Sequence, residues 1–79
     1  MKLNLEEEMT LQLRDKRFGV LAVEKGFITK EQLFEALKIQ TEENIEDDKH
    51  RLIGVILYKL GYITVEQIEE ILEIMRKAK

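Results

Sequence analysis

Arg17–Gln40, RFGVLAVEKGFITKEQLFEALKIQ, decides the fold of this chain, because it recurs 35 positions on as Leu52–Met75, LIGVILYKLGYITVEQIEEILEIM. The alignment needs no gap, and ten of its 24 pairs are identical, among them Gly19/Gly54, Gly26/Gly61, Thr29/Thr64 and Gln32/Gln67. Most other pairs exchange one apolar residue for another. Such a repeat constrains architecture before any single element is considered. Each copy reads as a helix, a glycine stop, a two-residue apolar turn and a capped helix. Gly26 and Gly61 suit the position just past a helix end, where the backbone turns left-handed. Thr29 with Gln32, and Thr64 with Gln67, have the spacing of a capping box, flanked by the apolar pairs Ile28/Leu33 and Ile63/Ile68. The expected fold is all-α: two helical hairpins plus an N-terminal flanking segment, in one domain spanning 1–79. Repeat 1 occupies 17–40, a connector 41–51 and repeat 2 52–75.

Working outward, Asp15 is a good N-cap residue for a first helix from about Lys16 to Lys25. In residues 1–14, Leu3, Leu5, Leu11 and Leu13 follow a strand period, yet no turn chemistry joins them into a hairpin, so strand and helix both stay open. The second helix should turn Leu33, Phe34, Leu37 and Ile45 to one face. Residues 41–50, TEENIEDDKH, either extend that helix or form an acidic connector. Asp47 or Asp48 would then cap a third helix of about Lys49 to Leu60. A fourth, about Val65 to Ala78, places Ile68, Ile71, Leu72 and Met75 inward, with Arg76, Lys77 and Lys79 at the end of the dipole that favours cations.

With 79 residues, 44% of them apolar, the chain can build one thin core and no deep cavity. It has no cysteine and one histidine, so disulfides, thiol chemistry and a His/Cys zinc site fall away. A net charge of −3 argues against a DNA-binding role. No apolar run approaches the roughly 18 residues of a membrane span, and the acidic N-terminus lacks a signal-peptide core, so a cytoplasmic protein is expected. There is no serine and no phosphate-binding glycine loop. The carboxylates are spread over helix faces, Tyr58 and Tyr62 read as core residues, and His50 reads as a solvated connector residue. No enzymatic activity, metal or cofactor is expected.

Two features ask for more than folding. Lys16 and Arg17 would lie in a helix first turn, where cations oppose the dipole; free N–H groups and a guanidinium fork there would suit an anion, but pairing of Arg17 with Glu6 to Glu8 or another acidic residue is the favoured reading. Gly19 and Gly54 sit inside short helices at a cost of about 1 kcal/mol each relative to alanine. Close helix packing is the favoured reason, and approach of a ligand to the backbone the alternative.

Arg17, Gly19, Gly26, Leu33, Leu37 and Gln40 match the pattern RLGxxLxxxGxxxxxxLxxxLxxQ, with Phe18 in place of the leucine. On these residues the chain resembles the N-terminal domain of bacterial type II secretion and type IV pilus assembly ATPases, some members of which bind cyclic di-GMP through two tandem copies. The resemblance covers residues 17–75 and includes no motor. It implies a small non-catalytic regulatory or protein-interaction module with a protein partner in secretion or pilus machinery. Its alternative implication is a cyclic di-GMP receptor, with Arg17, Phe18, Gly19 and Gln40 near the nucleotide on an apolar bed of Leu33 and Leu37. The second copy departs from the pattern: Leu52 replaces the arginine, Arg51 lies one residue early, and Met75 replaces the glutamine. A homodimer, each chain supplying its intact copy, would restore two half-sites.

Overall fold

A computed structural model describes residues 5–47 and 51–77, and within α1 the side chains of Glu6 and of residues 14–24. Asp48 and His50, singled out above as a cap and a connector residue, lie outside the described residues, as do residues 1–4 and 78–79. Four α-helices follow in order: α1, Leu5–Glu24; α2, Lys30–Glu46; α3, Ile53–Lys59; and α4, Val65–Lys77.

The two turns form as the glycine and threonine spacing dictates. Gly26 has φ +76° and Gly61 φ +83°. The Phe27 N–H reaches back to the Ala22 carbonyl and the Gly26 N–H to Val23; 35 positions on, Tyr62 reaches Leu57 and Gly61 reaches Tyr58. These bonds satisfy the carbonyls that a helix end leaves open. Thr29 and Gln32 then exchange two hydrogen bonds, at 2.9 and 3.1 Å, and Thr64 and Gln67 do the same at 3.0 and 3.1 Å.

The helices interlock instead of pairing hairpin by hairpin. α1 packs against α2, α3 and α4, and α3 packs against α1 and α2. The second helix of each hairpin thus rests on the first helix of the other. Ile53, Ile56 and Leu57 make α3 the most buried element, and Phe18, Ala22, Leu33, Ala36 and Ile71 close around it. α1 and α3 touch where each carries its internal glycine. A Cβ on Gly19 would lie 2.6 Å from Leu33 Cδ1 and 3.7 Å from Ile53 Cγ2; one on Gly54 would lie 3.0 Å from Phe18 Cζ. Close packing is therefore what the two glycines serve.

Several boundaries differ from the sequence reading. α1 begins at Leu5, so Asp15 lies in its interior and is not its N-cap. α2 continues through Thr41 to Glu46, and Asp47 ends it instead of starting α3. α3 opens at Ile53 with Leu52 at the N-cap position, which offers no side-chain acceptor. On α2 the inward stripe is Leu33, Ala36 and Leu37, while Phe34 is 59% and Ile45 77% exposed. Tyr58 is exposed rather than core; Tyr62 is part-buried and donates its hydroxyl to Glu35 at 2.8 Å.

Candidate binding groove

The long α1 changes the meaning of Arg17. It stands in the middle of a helix, not in a first turn, so no free backbone N–H groups accompany it and the helix-end anion site does not form. Arg17 is exposed, and among the described residues it has no hydrogen bond or ion pair.

The deeper anchor is Asp15, two residues back along α1. Its Oδ1 accepts the Ile53 N–H at 2.7 Å and its Oδ2 accepts Gln40 Nε2 at 2.6 Å. Gln40 Nε2 also donates to the Arg51 carbonyl at 2.8 Å. The Arg51 guanidinium forks onto the Glu43 carboxylate, Nε to Oε1 at 2.9 Å, and this hydrogen bond raises its pKa further above the ordinary arginine value. One network thus ties α1, α2 and the start of α3. Desolvation pushes the Asp15 carboxyl above its ordinary 3.8, against the opposing pull of the bonds from Gln40 and Ile53.

Beside this network an open groove of about 910 Å³ runs between α1, the start of α3 and α4. Phe18, Leu52, Val55, Ile68, Leu72 and Met75 give it an apolar lining, and Gly54 lies in it against the Phe18 ring. Leu52, Val55 and Leu72 are 43–46% exposed. Arg14, Arg17 and Arg76 supply its cations. Among the described residues Arg76 pairs with Glu73, one turn back, in an exposed contact of 3.1 Å. The groove has the size and mixed lining of a binding cleft.

Of the residues singled out from the sequence, Arg17 and Phe18 line this groove. Gly19 is covered by Leu33, Leu37 is part-buried, and Gln40 is held in the Asp15 network. The six do not converge on one pocket. Sequence reading missed Arg14, Arg76, Leu52 and Val55 as lining residues. Arg14 and Arg17 share a face only if one helix runs through both, whereas the N-cap signal of Asp15 points to a helix start between them.

Among the described residues no group of His, Cys, Asp or Glu is placed to hold a metal ion, and no helix is long and apolar enough to cross a membrane. No family model, curated protein or solved structure matches the chain.

Proposed function

We propose that this chain is a small non-catalytic interaction module that docks onto a protein partner through the α1/α3/α4 groove. The observation that carries the reading is the set of exposed apolar residues, Leu52, Val55 and Leu72, gathered in one concave surface beside arginines. A concave apolar surface flanked by cations gives a partner's apolar side chains a place to bury and its charges a place to pair. The resemblance to the N-terminal domain of secretion and pilus ATPases supports the same reading, since that domain docks on machinery.

The alternative reading, a cyclic di-GMP receptor acting through the first repeat, asks Arg17 and Gln40 to meet a ligand beside Gly19. Gln40 is instead engaged by Asp15 and Arg51, and Gly19 lies under Leu33. Docking is therefore the better-supported function.

Site-specific photocrosslinking separates the two. A crosslinker at Leu72 or Val55 should capture a protein in the cell that makes the chain, while one at exposed Lys38 should not. Equal capture from all three positions would remove the groove from the docking surface. Amide shifts confined to Phe18–Leu21 on adding cyclic di-GMP would favour the receptor.

A further inference from the structure

Building on the docking reading, we propose that the partner presents an acidic amphipathic helix, its apolar face on Leu52, Val55 and Leu72 and its carboxylates on Arg14, Arg17 and Arg76. All the lining residues but Leu52 lie on α1, α3 or α4, so the groove offers no sheet edge to an extended peptide and suits a helix laid between helices. Arg14 and Arg17, three residues apart on α1, share one face. Among the described residues neither has a hydrogen bond or an ion pair. The exposed Arg76–Glu73 pair, of a kind that contributes little, leaves Arg76 available to a partner.

Charge singles out the occupant. Three arginines gather at the groove of a chain whose net charge is −3. The one carboxylate lining it, Asp15, spends both oxygens on Ile53 and Gln40. Guanidinium forks match carboxylates in bidentate geometry. A long polyanion would run out over the acidic remainder of the surface and be repelled, whereas a short acidic helix stays within the basic patch.

The test uses the full chain and a fluorescent helical peptide with leucines at i, i+4 and i+7 flanked by glutamates, with a twin carrying lysines in place of the glutamates. The glutamate peptide should bind at least tenfold more tightly at low ionic strength, and the preference should shrink as salt is added. Arg17→Glu, at an exposed site, should keep the helical circular dichroism signal and abolish the preference. Equal binding of the twins would overturn the acidic-partner inference while leaving docking intact. Binding of neither peptide would overturn the acidic-helix inference and leave docking to be decided by the crosslinks from Val55 and Leu72, and shifts of groove residues with cyclic di-GMP alone would replace both with nucleotide recognition.

Discussion

Asp15 and Ile53 stand 38 positions apart, yet the Asp15 carboxylate accepts the Ile53 amide N–H at 2.7 Å. The first N–H groups of a helix have no partner within it, and Leu52 at the α3 N-cap position offers none. A side chain from the interior of α1 therefore caps α3. The same carboxylate takes the Gln40 amide, so helix capping and helix docking depend on one residue. Asp15→Ala should cost about 1–3 kcal/mol, the range for stranding part-buried donors to a charged acceptor. Urea denaturation measures it, and an unchanged midpoint would show that α3 needs no cap from α1.

The pH dependence follows from the direction of the Asp15 shift. Burial holds its folded pKa above 3.8, so the native chain binds this proton more tightly than the unfolded chain. The stability contributed by that proton is full below the unfolded value and is lost as pH rises through the folded one. The advantage of the parent over Asp15→Asn should accordingly narrow as pH rises above 3.8. Paired urea titrations across that range check the sign; a gap that widens with pH would contradict it.

Gly19 and Gly54 should resist any β-branched replacement. A Cβ at Gly54 meets the Phe18 ring at 3.0 Å, and one at Gly19 meets Leu33 at 2.6 Å. Gly19→Val and Gly54→Val should each lose about 1–3 kcal/mol through overpacking, even though valine suits a helix slightly better than glycine does. Thermal melts of the two variants decide the matter: parent-like midpoints would mean that the α1–α3 crossing has slack.

Gly26 and Gly61 test a different cost. A Cβ at either position meets nothing within 4 Å, and only the positive φ opposes it. Gly26→Ala and Gly61→Ala should each lose about 1–2 kcal/mol, the strain of an L-residue in the left-handed region. Losing both glycine stops should be close to additive, because the two turns share no partner.

What could be read in the sequence was what sequence neighbours settle among themselves. Gly26, Thr29 and Gln32 fix a turn and a cap within seven residues, and the structure forms both as spaced. Asp15 misled because its local signal is that of an N-cap, while its acceptors are used by Ile53 and Gln40, far along the chain. Phe34 and Ile45 misled on α2, where small Ala36 takes the buried place and leaves Phe34 outside. The groove was hidden for the same reason: Arg14 and Arg17 on α1, Leu52 and Val55 near the start of α3, and Leu72 and Arg76 on α4 meet only after the hairpins interlock.

Gln40 and Arg17 separate folding from binding. Gln40 Nε2 joins Asp15 to the Arg51 carbonyl, at 2.6 and 2.8 Å, and is part-buried. Arg17 is exposed at the groove. Gln40→Ala should therefore lower stability by about 1–2 kcal/mol through two lost hydrogen bonds, whereas Arg17→Ala should stay within about 0.5 kcal/mol of the parent. Gln40→Glu sharpens the distinction, since it sets a second carboxylate against Asp15. Two such groups in contact disfavour each other's ionisation. The Gln40→Glu variant should therefore lose stability steeply as both carboxyls ionise and regain much of it in acid. Urea midpoints across pH give the readout. If Arg17→Ala shifts the midpoint and Gln40→Ala does not, the roles are reversed, and Gln40 belongs to a binding site instead of to the frame that holds α1, α2 and α3 together.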